Sequence, residues 1–226
     1  MERYLNDVEC MRKARGAIFD MDGCLLDSIK IWHESERRIT DDAGIVLTKE
    51  QRDRLNALTL EEAAQFFHDE FGIGNNWPEV AQAIIGHMLA FYSNEAEANP
   101  GAVEYVRSVH ASDTVLCVLS SSPQAFLQAG LAHANLIDYF EPHLIISAED
   151  EGLAKRDPQT FLQVCDRMGC DPQDTCLYDD SWYALASARK AGLKTVGVFS
   201  DDNCGTHEEL ATYADIVVDD FTELLD

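Results

Sequence analysis

The run Ala17-Ile18-Phe19 ends in Asp20-Met21-Asp22-Gly23, so an apolar stretch stops abruptly at two carboxylates one residue apart. A short apolar run with such an end reads as a buried strand feeding a loop. Alternate residues of an extended chain share a face. Asp20 and Asp22 can therefore turn toward one pocket beyond the strand's C-terminal end, where open α/β sheets bind ligands. Two carboxylates this close repel unless a cation sits between them or one takes up a proton. A hard cation such as Mg²⁺ accepts carboxylate and carbonyl oxygens, which makes the stretch a candidate metal loop. The competing reading is a plain turn, with Asp22-Gly23 as the bend and Asp27-Ser28 as a helix cap.

The rest of the chain changes rhythm twice. From Ile29 to about Ala98 apolar residues fall at helical spacing, at Ile31, Trp32 and Ile39, then Leu60 to Phe71, then Val80 to Tyr92, broken by Gly72-Ile73-Gly74 and closed by Asn99-Pro100-Gly101. About 70 residues is far more than a strand-to-strand crossover needs, which favours a separate helical insert. After Pro100, strands alternate with helices: Thr114 to Leu119, Leu144 to Ser147, Thr175 to Tyr178, Thr195 to Phe199 and Ile216 to Val218 are the apolar runs. That alternation predicts an α/β fold, a Rossmann-like parallel sheet core with an inserted all-helical cap domain. The expected division is core 1–27 and 99–226, cap 28–98.

Charge narrows the partners. The chain has 226 residues, 41 acidic against 17 basic, for a formal charge of −24. Such a field repels nucleic acid and anionic membranes, so neither is expected as a partner. It would also repel a phosphorylated molecule, and any anion site must be locally positive through metal, lysine or backbone amides. Residues 1–15 lack a signal-peptide apolar core and no apolar stretch approaches the ~20 residues of a membrane span, so a cytoplasmic protein is expected. The seven cysteines include no C-x-x-C pair and fit reduced thiols, with Cys24 set apart by its place in the candidate loop. The seven histidines show no ligand spacing.

Three further stretches carry candidate chemistry. Val115 to Leu119 runs into Ser120-Ser121-Ser122-Pro123, where hydroxyls and helix-start amides can hold anionic oxygens, or simply cap a helix. Lys155 lies in Gly152-Leu-Ala-Lys155-Arg156-Asp157-Pro158, ahead of an amphipathic helix. Cys176-Leu177-Tyr178 ends in Asp179-Asp180-Ser181, a second acidic pair at a strand end. A metal shared by Asp20, Asp180 and the backbone carbonyl of Asp22, with Asp179 through water or in support, would neutralise both pairs.

These four stretches, in this order, resemble the motifs of haloacid-dehalogenase-type phosphohydrolases, in the helical-cap branch that includes β-phosphoglucomutase and sugar-phosphate phosphatases. The resemblance implies a magnesium-dependent phosphohydrolase acting on a small phosphate monoester, such as a sugar phosphate. Asp20 would be the nucleophile that forms an aspartyl-phosphate, and Asp22 the general acid and base. Ser120, Ser121 and Lys155 would hold the phosphoryl group, with Mg²⁺ on Asp20, Asp22, Asp179 and Asp180. The chain departs from the pattern at Arg156, where the family commonly has proline, and at Trp182-Tyr183, where it often has smaller residues.

A phosphomutase of the β-phosphoglucomutase kind would need a second cationic phosphate site. No Lys or Arg occurs from 55 to 106, which favours hydrolysis unless Arg52 or Arg54 serves. The remaining alternative is a non-catalytic binding or regulatory protein on the same fold. The partner expected is a small phosphorylated metabolite, and the assembly a monomer or weak homodimer.

Overall fold

The computed structural model describes residues 11, 13–55, 58, 60–200 and 206–225; at 32, 33, 35, 36, 52 and 53 it describes the backbone alone. The chain divides into two units, Met1–Ile29 with Ala96–Asp226, and Lys30–Glu95. The boundaries lie a few residues from those expected at 27/28 and 98/99, for a local reason. Leu26 bridges antiparallel to Ala98. Asp27 N donates to Glu97 O at 3.0 Å and Asn99 N to Leu25 O at 2.9 Å. The chain thus leaves and re-enters the first unit side by side, and residues 28, 29 and 96–98 stay with that unit.

The first unit is a six-stranded sheet: β1 (Gly16–Phe19), β2 (Val115–Ser120), β3 (Ile145–Ser147), β4 (Thr175–Asp179), β5 (Lys194–Val198) and β6 (Ile216–Val218). Their order is β3-β2-β1-β4-β5-β6, with every pairing parallel. Successive connections run outward from β1 in one direction and then in the other, so the switch point lies between β1 and β4. The strands lie where the apolar runs placed them, to within a residue or two at each end.

Both faces are covered because side chains alternate along each strand. Ile18 is in register with Cys117 and with Leu177. These three join a buried cluster with Phe161, Val164 and Cys165 of α7 (Pro158–Met168) and Leu185 and Ala188 of α8 (Trp182–Ala191). One residue on, Phe19 is in register with Val118 and Tyr178. On that face Phe19 stacks on Tyr178 at 4.6 Å, and the hydroxyls of Tyr178 and Tyr105 meet at 2.6 Å. Tyr105 belongs to α5 (Ala102–His110). A buried phenol needs such a partner, since a lone one would lose its hydrogen bond to water.

The second unit is helical, built from α1 (Ile29–Asp42), α2 (Lys49–Leu55), α3 (Leu60–Phe71) and α4 (Trp77–Asn94). Phe66 and Phe67 of α3, and Ile84, Met88 and Tyr92 of α4, are buried. Asn76 caps α4 by accepting from Glu79 N at 3.0 Å. Spacing alone did not separate α2, a helix of seven residues with little apolar pattern. It also gave no sign of α9 (His207–Tyr213), which a Thr206/Glu209 capping box opens. In the core, α6 spans Gln124–His133. Among the described residues no helix is long and apolar enough to cross a membrane.

Candidate active site

Three strands and one loop deliver their terminal residues to the same end of the sheet. Asp20 directly follows β1, and its backbone N donates to Tyr178 O of β4 at 2.9 Å, which holds the first residue beyond one strand against the penultimate residue of its neighbour. Asp179 is the final residue of β4, Asp180 follows it, and Ser120 ends β2. All are buried.

Lys155 reaches in between. Its Nζ lies 2.9 Å from Asp20 Oδ2 and 2.7 Å from Asp179 Oδ2, and its side chain is 3% exposed. Asp20 Oδ1 accepts from Met21 N at 2.7 Å, and Asp179 Oδ1 from Ser181 N at 2.8 Å. Asp179 Oδ2 has the ammonium beside it but no directed hydrogen bond. Carboxylate oxygens of Asp20, Asp179 and Asp180 all lie within 4.8 Å of one another.

Burial is the dominant influence on these groups. It pushes the Asp20 carboxyl up to about 7, against the downward pull of Lys155 and with further upward push from Asp179. Burial, then Asp20 and Asp179, hold Asp180 well above the usual carboxylate range. For Lys155 burial works against the charge, yet Asp179 and Asp20 keep the ammonium well above the ordinary lysine value. With all three ionised, the buried carboxylates around one ammonium leave the cluster two positive charges short, a deficit that protons on Asp20 and Asp180 or a cation can make good. A divalent cation supplies that deficit, and an all-oxygen donor set suits a hard one. The residues present therefore fit a metal.

Gly23 makes room for this cluster. Its φ is +74°, and a Cβ there would run into Asp180 Oδ2 and lie 2.9 Å from Ile29 Cγ1. Only glycine meets both demands at low cost. Asn99 supports the same loop, donating from Nδ2 to Cys24 O at 2.5 Å and to Gly23 O at 3.3 Å. The sequence presented Asn99 only as part of a helix break.

Asp22 stands apart from the ion cluster, in a cradle of hydroxyls. Ser28 Oγ donates to its Oδ1 at 2.6 Å, while Ser122 Oγ at 2.6 Å and Ser120 Oγ at 3.4 Å donate to Oδ2. Ser122 N in turn donates to Ser120 Oγ at 3.1 Å. Of the two serines singled out from sequence, Ser120 is brought to Asp22 and Ser121 is exposed beside it. Ser122 was read only as one member of that serine run, and its hydroxyl also turns to Asp22. Ser28 was read as a helix cap, and its hydroxyl turns to Asp22 instead. Ser181 likewise makes no cap to α8; its Oγ donates to Asp180 Oδ1 at 3.1 Å. The start of α6 is capped from a distant loop, by Asp150 Oδ2 accepting from Gln124 N at 2.8 Å.

Other candidates resolve simply. The Cys24 thiol is buried and donates to Tyr178 O at 3.4 Å, and burial pushes its pKa well up, so it is structural. Cys24, Cys117, Cys165, Cys170 and Cys176 are free thiols; Cys10 and Cys204 lie outside the described residues. In the helical unit Arg54 lies over the Phe66 ring at 4.9 Å and 3.6 Å from Glu70. The Arg52 side chain is outside what is described.

This architecture has known counterparts. The family model for haloacid dehalogenase-like hydrolases matches residues 17–198, which contain all of β1 but its first residue, β2 to β5 and every residue of the site. The chain belongs to that family. A phosphorylated carbohydrates phosphatase of Thermotoga maritima is 24% identical over 189 residues, 83% of this chain and 87% of the relative. An (S)-2-haloacid dehalogenase 4A of Burkholderia cepacia is 26% identical over 207 residues, 86% and 87% of the two chains. Among solved structures, CbbY from Rhodobacter sphaeroides in complex with phosphate aligns with a TM-score of 0.75 at 19% identity, covering 93% of this chain and 96% of that one. The last likeness concerns the fold.

Proposed function

We propose that this chain is a phosphatase that hydrolyses a small phosphate monoester of the sugar-phosphate kind, with Mg²⁺ as its metal. The observation that carries the reading is the separation of two carboxylates on one loop. Asp20 is drawn into the Lys155 and Asp179 cluster, whereas Asp22 is held by hydroxyls two residues away.

Each group then has a distinct task. Asp20 Oδ attacks phosphorus in line, forming an aspartyl-phosphate as the bond to the ester oxygen breaks. The departing alkoxide takes its proton from Asp22, and Asp22 later removes a proton from the water that attacks the acyl phosphate, regenerating Asp20 and releasing inorganic phosphate. Lys155 and Ser120, with Ser121 at the turn, hold phosphoryl oxygens. Asp20, Asp180 and the Asp22 carbonyl, with Asp179 in support, would hold Mg²⁺, which when bound would supply positive charge against the phosphoryl group.

Carbon–halogen displacement fits less well. A halide leaves as a stable anion and needs no acid, so a second carboxylate cradled for proton transfer would have nothing to do. A mutase would require a free cation at a second phosphate. Arg54 is engaged with Glu70 and Phe66, and no Lys or Arg follows until Arg107.

The test is phosphate release from a panel of sugar phosphates and p-nitrophenyl phosphate, with and without Mg²⁺. Metal-dependent release that vanishes in Asp20→Asn is the expected result. Full activity in Asp20→Asn would overturn the mechanism. Silence toward every ester, combined with isomer interconversion primed by a sugar bisphosphate, would replace hydrolysis with the mutase reaction.

A further inference from the structure

The two places where the sequence departs from the family pattern meet in space. Arg156 follows Lys155 directly, and its guanidinium carbon lies 3.9 Å from the centroid of the Tyr183 ring and 5.8 Å from that of Trp182. Trp182 in turn packs against Tyr213 of α9, with ring centroids 5.6 Å apart. The main chain is gripped as well, because Ser187 Oγ of α8 donates to Arg156 O at 2.9 Å. One residue of the loop is thus tied to α8 through both its side chain and its carbonyl.

That tie falls where it matters. Trp182 and Tyr183 open α8 immediately after Asp179, Asp180 and Ser181. The loop that carries the buried ammonium and the strand end that carries its carboxylate partners are therefore clamped together by their next neighbours in sequence. We propose that Arg156, stacked on Tyr183 and Trp182, is a positioning residue that holds Lys155 between Asp20 and Asp179. The proposal rests on the phosphatase reading for its kinetic consequences.

The physics suits the task. A guanidinium over an aromatic face is attracted by the ring quadrupole, and its planar shape keeps the stack in one orientation. Lys155 is a long, flexible chain, and its backbone must be anchored for its tip to stay fixed. The rest of the loop is held from the other side, by Thr160 Oγ1 donating to Ala154 O at 2.8 Å and by Asp157 capping α7. Residue 156 is the point between these anchors where the loop faces α8. Tyr183 also senses the buried ion cluster directly: burial raises its hydroxyl pKa, and Lys155 pulls it back.

The test compares Arg156→Ala, Arg156→Lys, Tyr183→Ala, Tyr183→Phe and the Arg156→Ala/Tyr183→Ala double variant, with Arg189→Ala as a control on the same helix. At saturating Mg²⁺, Arg156→Ala and Tyr183→Ala should each lower kcat about tenfold with KM changed no more than about twofold, the signature of a displaced group that acts in the transition state. Tyr183→Phe should recover most of the loss seen in Tyr183→Ala, and Arg156→Lys part of the loss seen in Arg156→Ala. The double variant should be no slower than the worse single. Wild-type kcat in Arg156→Ala, or a lowered thermal midpoint with kcat unchanged, would overturn the proposal. Should the wild type release phosphate from no ester, the phosphatase reading fails by itself. Calorimetric binding of inorganic phosphate then decides the positioning role: about tenfold weaker binding in Arg156→Ala supports it, and unchanged binding refutes it.

Discussion

The Cα of Gly23 faces the Asp180 carboxylate so closely that a single added methyl would strike Asp180 Oδ2. The glycine of the first acidic loop is therefore part of the second acidic pair's environment, although 157 residues separate them in sequence. Gly23→Ala would force both a positive φ on a residue with a Cβ and a shift of Asp180. The expected cost is roughly 1–3 kcal/mol of stability, with Mg²⁺ affinity reduced as well. Chemical denaturation and Mg²⁺ titration of the variant check both; wild-type values in both would remove Gly23 from the site.

Among the described residues, Lys155 is the ammonium set between two buried carboxylates. In Lys155→Met they lose it, and breaking a buried pair from one side typically costs about 3–5 kcal/mol. The variant should be strongly destabilised without metal, and Mg²⁺ should restore a larger share of its stability than it adds to the wild type. Denaturation with EDTA and with saturating Mg²⁺ measures the two differences, and an equal metal response in both proteins would contradict the charge deficit.

The cradle around Asp22 separates adjacent serines. Ser122→Ala removes a 2.6 Å donor from Asp22 Oδ2, and a hydrogen bond to a charged group is worth about 1.5–3 kcal/mol. If that energy is used in the reaction, kcat/KM falls roughly 10- to 100-fold. Ser121→Ala, which keeps the backbone and loses only an exposed hydroxyl, should fall far less. Steady-state kinetics on the two variants gives the contrast, and a reversed ranking would refute the cradle.

Metal binding should depend on pH in a defined direction. Burial raises the Asp20 carboxyl from 3.8 to about 7, so in the metal-free protein this group keeps its proton below about 7. Because the folded value lies above the unfolded one, its ionisation opposes folding: this group's contribution to stability declines as pH rises from about 4 to about 7. A cation must displace the same proton. Mg²⁺ affinity, and the rise in thermal midpoint that Mg²⁺ brings, should therefore grow between about pH 6 and pH 8, with proton release on binding at the lower end. Calorimetry in buffers of different ionisation enthalpy detects that release. An affinity constant across this range would place the proton elsewhere.

The sheet and the acidic pairs were legible because their signals are local. Phe19 before Asp20 and Tyr178 before Asp179 each mark a strand's end within two residues, and parallel strands put such ends on one side of the sheet. Lys155 was legible only because Lys155-Arg156-Asp157-Pro158 resembles a motif of the family, since a lone loop lysine is usually just solvated. What stayed hidden depended on directions that no spacing encodes. Whether Ser121 or Ser122 faces Asp22 is set by the turn after β2, and Ser28 had two partners open to it, a helix end and a carboxylate. Asn99 looked like punctuation because its side-chain contacts lie some 75 residues away. Arg156 and Tyr183 looked like two separate irregularities for the same reason, since only folding brings them into contact.

The bridge between Leu26 and Ala98 has a consequence for how such a protein can change. Loop closure becomes costlier only slowly as a loop lengthens, and here the core's own hydrogen bonds already fasten the two ends of the excursion. The sheet is therefore almost indifferent to how many residues pass through that gateway or what shape they take. The carboxylates at the strand ends can thus stay in register while the helical insert changes in length or shape.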